Sequence, residues 1–333
     1  MYIVGSYSLA VFFCIVTMLC WGSWANTQKL AGKSWRFELF YWDYVWGILI
    51  FSFLLAFTFG SHGEKGRSFL PDLIQSETAS LVSAFIGGVI FNLSNILLVA
   101  AIALTGIAVA FPVGVGIALA LGVIINYIAA PIGNAAILFS AVGLIAVAII
   151  FDALAYRKMS QSQQKVSSKG LLLSILAGVL MSMFYRFVAN SMGTDFVNPQ
   201  IGKLTPYTAI VIFSTGILIS NFLFNYILMK KPIDGPPLDI KDYFKGSLRS
   251  HGTGILGGMI WNVGMSFSII ASGQAGSAIS YGLGQGATLI AALWGVFIWR
   301  EFKNAPAGTN KYIVAMFVLY FAGLAFLIYS KIA

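Results

Sequence analysis

Ten apolar runs, each about twenty residues long, constrain the fold of this chain more than any other feature. A helix of about that length spans the hydrocarbon core of a bilayer. Only 9% of the residues are charged, whereas soluble domains carry roughly 25%. Because so few charges cannot cover a water-exposed surface, the bilayer must solvate most of the chain. The sequence therefore predicts an all-α membrane protein with ten transmembrane helices.

The predicted spans cover residues 6–28, 40–60, 79–104, 107–127, 135–155, 170–192, 205–229, 253–272, 277–299 and 311–330. Of the 20 Lys and Arg residues, fifteen fall in connections 1–2, 5–6, 7–8 and 9–10. Four lie on the opposite side, and Arg186 lies within a span. Because basic loops remain in the cytoplasm, the charge distribution predicts that both termini are outside.

An offset of 170 residues relates two parts of the chain, 87–126 and 257–296. Gly87-Gly88 and Asn92 then align with Gly257-Gly258 and Asn262. We therefore expect a 5+5 inverted repeat, with residues 1–156 and 170–333 as its halves and 157–169 as a short cytoplasmic linker. An odd number of spans in each half inverts the second copy. Inverted repeats are typical of alternating-access transporters, which bind substrate near the bilayer midplane.

Polar and aromatic side chains within the spans are candidates for substrate binding, because amides offer donors and acceptors and aromatic rings can stack on a ligand. An ionisable residue at membrane depth suggests function. The candidates are Trp21, Trp24, Asn92, Asn95, Tyr185, Arg186, Asn190, Trp261, Asn262, Tyr281 and Gln285. Alternative interpretations remain open: Arg186 as a snorkelling or ion-paired residue, the amides as interhelical contacts, and the aromatic residues as core.

Three further residues are candidates for coupling or gating. Asp43 could carry a coupling proton or fix a gate, or it could be a membrane-boundary residue or pair with Arg36 in the preceding loop. Gly114 and Gly284 are expected to let the fourth and ninth spans flex. We expect spans one, three, six and eight to line a central cavity, with five and ten at the periphery.

Several functions are disfavoured by the sequence. The G-x-G-x-x-G pattern at 252–257 enters a membrane span without a preceding strand, which excludes a dinucleotide site. No metal site, cofactor or nucleic-acid partner is predicted. An intramembrane enzyme would need a nucleophile–base pair or a metal cluster, and a receptor would need a sizeable loop domain. Neither feature is visible in the sequence, so we expect a non-enzymatic transporter.

A set of short motifs carries a resemblance to a known family. They are Gly22-Ser23-Trp24, Asp43-Tyr44, Thr58-Phe59-Gly60, Gly87-Gly88-Val89, Asn95, Gly106, Gly122 and Asn126-Tyr127. In these residues the chain resembles the ureide permease family of the drug/metabolite transporter superfamily, best over residues 1–130. It is also similar to the glucose/ribose and rhamnose porters. One departure is the short segment 156–169, which lacks the long loop and Walker-A-like motif of plant ureide permeases.

The resemblance implies proton-coupled import across the plasma membrane. Ureide permeases take allantoin and nucleobases such as uracil and xanthine, and the sugar porters take monosaccharides. We therefore expect a small neutral metabolite as substrate, a ureide or nucleobase first and a monosaccharide second. The expected partners are this substrate, a co-transported proton and the lipid bilayer, with a homodimer as a candidate assembly.

Overall fold

The computed structural model describes residues 1–32, 35–159, 167–233 and 235–333. Over these ranges the chain is almost entirely helical, and ten helical spans are long and apolar enough to cross a bilayer. Numbered 1 to 10, the spans are Tyr7–Ala31, Phe37–Phe57, Thr78–Thr105, Val109–Ala129, Ala135–Met159, Ser168–Ser191, Pro206–Lys230, Leu248–Ala275, Ser277–Ile298 and Thr309–Tyr329. The predicted all-α membrane fold with ten spans is confirmed.

Two of the spans are interrupted. Span 1 consists of helices Tyr7–Ser23 and Asn26–Ala31. Span 9 consists of Ser277–Gly284, Ala287–Leu293 and a terminal π-helical turn. At both breaks, backbone hydrogen bonds join residues three apart, as in a tighter 3₁₀ turn. Short helices at Phe69–Gln75 and Ile240–Tyr243 lie in the connections after spans 2 and 7.

The spans form two groups of four that each mix both halves of the chain. Group A contains spans 1, 2, 8 and 9, and group B contains spans 3, 4, 6 and 7. Spans 5 and 10 pack against each other, and span 5 also packs on span 4. We call the end that carries the Lys/Arg-rich connections the basic end, and the end with both termini the terminal end.

Matched glycine contacts hold each group together. In group B, Gly88 lies against the main chain of span 7, so a Cβ there would overlap the carbonyl oxygen of Phe213. In group A, Gly258 lies against span 2, and its Cβ would overlap the carbonyl oxygen of Tyr44. Small residues allow such close helix approach within a bilayer. Because Gly88 and Gly258 differ by 170 positions, the two contacts have the spacing expected of a repeat.

The two related asparagines make matched hydrogen bonds beside these glycines. Asn92 Nδ2 donates to the carbonyl of Ile217 at 3.3 Å. Asn262 Nδ2 donates to the carbonyl of Ile48 at 2.7 Å. Both amides are fully buried, and each joins two spans of its own group. The 5+5 inverted arrangement remains a prediction, which these contacts support, and the placement of the termini outside remains a prediction as well.

A third pair of matched glycine contacts changes the alignment between span 4 and span 9 that the 170-residue offset predicts. Gly178 lies against the carbonyl of Gly114, and Gly22 lies against the carbonyl of Ala287. By its contacts Gly114 therefore corresponds to Ala287 rather than to Gly284. The helical break that follows Gly284 explains the shift, because it changes the register of the rest of the span.

We predict that Gly88→Ala and Gly258→Ala each lower the temperature of thermal unfolding in detergent. The added Cβ must push two main chains apart, and overpacking of this kind costs about 1–3 kcal/mol. Gly143→Ala is the matched control, because a Cβ at Gly143 meets no heavy atom within 4 Å. An unchanged melting temperature for Gly258→Ala would contradict the packing described here.

Candidate functional site

A cavity lies between groups A and B and consists of two connected chambers. The inner cavity, of about 220 Å³, is lined by residues from spans 1, 3, 4, 6, 8 and 9. It continues into a vestibule of about 540 Å³, with Trp24, Asn95 and Thr288 lining both chambers. Lys29 and Glu301 line the vestibule near the basic end. The cavity therefore opens towards the basic end of the bundle.

Aromatic rings form much of the wall of the inner cavity. Trp21 and Trp261 stack with ring centroids 5.8 Å apart, and Phe91 lies 4.4 Å from Trp261. Trp21 Nε1 donates to the carbonyl of Trp261 at 3.1 Å, which fixes this pair across spans 1 and 8. Trp24 and Phe184 complete the wall. Such surfaces suit a flat ring, because offset or edge stacking is favourable.

Three lining residues keep polar atoms that have no hydrogen-bond partner within the described ranges. They are the indole N–H of Trp24, the Oδ1 of Asn95 and the whole amide of Gln285. The Nδ2 of Asn95 donates to the hydroxyl of Tyr41 at 3.1 Å, which orients the amide. None of the described residues that line the inner cavity carries a formal charge. The cavity thus offers donors and acceptors to a neutral ligand.

Both interrupted spans break at the level of the inner cavity. Trp24 and Ala25 lie in the break of span 1, and Gln285 precedes the second helix of span 9. Discontinuous helices frequently form the substrate sites of transporters. Two of the three residues with unpaired polar atoms, Trp24 and Gln285, therefore lie at these interruptions.

Two tyrosines close the cavity towards the terminal end, and we call them the tyrosine seal. Tyr281 of group A donates to the carbonyls of Ala118 and Met181 in group B, at 3.0 and 3.2 Å. Tyr185 of group B bonds to Ser268 of group A, and the two tyrosine rings lie 5.3 Å apart. Both tyrosines are fully buried. The seal therefore joins the two groups on one side of the cavity.

Asp43 lies in a separate polar cluster at the basic end of group A. His251 Nδ1 lies 2.9 and 3.0 Å from its two oxygens, and the hydroxyl of Tyr243 donates to Oδ1 at 2.6 Å. Burial and the Asp43 carboxylate raise the pKa of Tyr243, so this phenol remains a donor. Arg36, the partner considered from sequence, instead pairs with Glu38. The cluster fastens span 2 to span 8 within one group.

The structure brings only part of the predicted site together. The inner cavity is lined by Trp21, Trp24, Asn95, Trp261, Gln285 and Gly114. Tyr185 and Tyr281 form the seal, while Asn92 and Asn262 make interhelical hydrogen bonds. Gly284 ends the first helix of span 9, whereas Gly114 lies within a continuous helix. Their flexing remains a prediction.

Arg186 and Asn190 do not lie at this cavity. Both share a face of span 6 with Met183, which is exposed on the outside of the bundle. Arg186 is half-buried, and Asn190 is exposed. Arg186 lies five residues from the end of its helix, about 7.5 Å along the axis. At that depth a long arginine side chain can reach the polar interface. This position agrees with the interpretation of Arg186 as a snorkelling residue.

The structure also reveals residues that sequence reasoning missed. His251 lies in the first turn of span 8 and faces Asp43. Asp152 and Tyr156 of span 5 line the vestibule. A signal for Asp152 was present, because it is an acidic residue inside a predicted span.

The known proteins that this chain resembles in sequence belong to one family. The family model described as "Ureide permease" matches residues 40–169 and 157–330. Ureide permease 4 of Arabidopsis thaliana is 22% identical over 99% of both chains. Ureide permease 1 of the same plant is 21% identical with the same coverage. Probable ureide permease A3 of Vigna unguiculata is 23% identical over 92% of this chain and 99% of its own.

A solved crystal structure shares the fold. It is 13% identical to this chain, covers 96% of both chains and superposes with a TM-score of 0.59.

The tyrosine seal generates a prediction about accessibility. Cys14 is fully buried, with its Sγ 3.8 Å from the hydroxyl of Ser280, next to Tyr281. In a Cys20→Ser background, we expect Tyr281→Phe to speed the reaction of Cys14 with a small thiol reagent several-fold. Loss of two hydrogen bonds between the groups lets the seal open more often.

Tyr320→Phe is the matched control, because it removes a buried hydroxyl that bonds to Thr288 outside the seal. Equal labelling rates in the Tyr281→Phe variant and its parent would show that these hydrogen bonds do not hold the seal.

We predict that Asp43→Asn lowers the melting temperature in detergent. The neutral amide weakens the interaction with His251, and charged hydrogen bonds contribute about 1.5–3 kcal/mol. Asp195→Asn is the control, since Asp195 lies in an exposed turn. If both variants melt at the same temperature as the parent, the cluster does not fasten span 2 to span 8.

Proposed function

The chain belongs to the ureide permease family, and on that premise we propose that it imports a flat, neutral ureide or nucleobase by alternating access. The family and the plant relatives indicate a multi-pass membrane transporter of ureides or related small metabolites, and not an enzyme. The proposal adds the substrate type, the transport mechanism, coupling to protons and location in the plasma membrane.

One observation carries the choice of substrate: the inner cavity combines aromatic walls with unpaired neutral polar groups. Trp24 offers a donor, Asn95 an acceptor and Gln285 both. The edges of nucleobases and ureides alternate N–H donors with carbonyl acceptors, and their flat or nearly flat rings can lie against Trp21 and Trp261. The uncharged lining favours a neutral ligand, since a buried charge without a partner is costly.

The arrangement of the two groups supports alternating access. The cavity lies between groups A and B, opens at the basic end and is closed at the terminal end by Tyr185 and Tyr281. If the basic loops are cytoplasmic, as the charge distribution predicts, this is an inward-facing state. A rocking motion of group A against group B would break the seal and close the vestibule.

A thermal-shift screen of the purified protein tests the substrate type. We expect uracil, xanthine or allantoin to raise the melting temperature, because a ligand that binds only the folded state stabilises it. Glucose, ribose and rhamnose are the comparison set. Stabilisation by a sugar alone would replace the proposed substrate with a monosaccharide.

Gln285→Ala tests the site with the stabilising compound. We expect a rise in Kd of about tenfold, which corresponds to the roughly 1.4 kcal/mol of one or two lost hydrogen bonds. Gln285 makes no side-chain hydrogen bond within the described ranges, so its removal leaves the protein itself intact. Arg186→Ala is the control and should bind and transport normally. Loss of transport by a folded Arg186→Ala variant would restore the role predicted from sequence.

A further inference from the structure

Asp152 is an acidic residue within span 5 whose surroundings differ from those of other carboxyl groups in the bundle. It lies seven residues before the end of its helix at Met159, about 10 Å along the axis. Its half-buried side chain lines the vestibule together with Tyr156 and Glu301. The carboxyl group thus lies within the membrane-spanning part of the chain and faces the transport path.

Within the described parts of the ten spans there are three acidic residues, Glu38, Asp43 and Asp152. Glu38 is paired with Arg36, and Asp43 with His251. Asp152 has no hydrogen bond or ion pair to any described residue. A charged side chain at membrane depth costs about 2.5–3.5 kcal/mol or more unless it is paired. Asp152 therefore lacks the compensation that the other two acids have.

The charges around Asp152 also favour its neutral form. Glu301 lies close enough to repel a second negative charge, and Tyr156 donates to Glu301 at 2.9 Å. From span 10, Tyr320 faces Asp152 with its hydroxyl bonded to Thr288. Lys29, the cation among the described residues that line the vestibule, lies 3.5 Å from Glu301 and over the ring of Trp299.

We propose that Asp152 binds the coupling proton during transport, an inference that rests on the proposed uptake function. In the state described here, water in the vestibule can reach the carboxyl group and accept its proton. When the groups rock and the vestibule closes, an ionised Asp152 would be cut off from water without a cation. An ionised Asp152 is therefore favoured only while the vestibule is open, so inward opening of the loaded carrier releases the proton together with the substrate.

The arrangement assigns different roles to two acidic residues. Asp43 is fastened to His251 inside group A and keeps spans 2 and 8 together. Asp152 lies at the opening between the groups and shares the vestibule with Thr288, which also lines the inner cavity. A proton on Asp152 can thus affect the same movement that exposes the substrate site.

Transport in proteoliposomes tests the role of Asp152 in two assays of one variant. The first measures accumulation of the labelled substrate driven by a pH gradient, and the second measures exchange of labelled for unlabelled substrate at equal pH. We expect Asp152→Asn to lose accumulation at least tenfold while exchange stays within about threefold, because the amide mimics the protonated acid. Asp152→Glu should restore accumulation in part.

Asp195→Asn is the matched control, since it makes the same change at a carboxylate in an exposed turn outside the vestibule. It should keep gradient-driven accumulation. The proposal is overturned if Asp152→Asn still accumulates substrate like the parent, or if it is folded and loses exchange as well. The second result would make Asp152 necessary for the movement itself rather than for coupling.

A measurement without substrate separates this inference from the proposed function. We expect the infrared band of a protonated carboxylic acid near neutral pH in the unmodified protein, and its loss in Asp152→Asn. If the unmodified protein transports no ureide or nucleobase, the proposed function fails while the band can still be present. If transport occurs and the band is the same in both proteins, the inference about Asp152 fails alone.

Discussion

The close approach of helices at glycine is the constraint on which the rest of this structure depends. Within a bilayer, apolar side chains gain little by leaving lipid for protein, so helices associate through tight packing and buried hydrogen bonds. Gly88 and Gly258 supply the tight packing, and Asn92 and Asn262 supply the hydrogen bonds beside it. These contacts make two compact groups of four spans, and the cavity is the space left between them.

Contacts between the two groups have a different character. They include stacked and tilted aromatic rings around Trp261, the hydroxyl bonds of Tyr185 and Tyr281, and the bonds of Tyr41 with Asn92 and Asn95. Rings can slide, and hydroxyl bonds to carbonyls can be exchanged for others, at smaller cost than parting a glycine from a main-chain carbonyl. The molecule is thus firmer within each group than between them, which supports the proposed alternating access.

Much of this arrangement could be predicted from sequence because the bilayer imposes a simple rule on length and polarity. The ten spans follow from apolar runs, and Trp24, Asn95 and Gln285 follow from polar or aromatic residues within them. The direction of a side chain around its helix does not follow from such runs, which is why Arg186 was expected in the cavity. The pairing of Asp43 with His251 joins distant positions, and sequence patterns within one helix carry no signal for it.

The interruptions in spans 1 and 9 give the two walls of the cavity unequal stiffness. Both belong to group A, whereas the spans that group B contributes to the inner cavity run as unbroken helices. One wall can therefore act as a fixed template while the other adjusts to the ligand. Such a division suggests how related carriers could diverge: changes near Trp24 and Gln285 would alter substrate range without disturbing the glycine contacts that keep the chain folded.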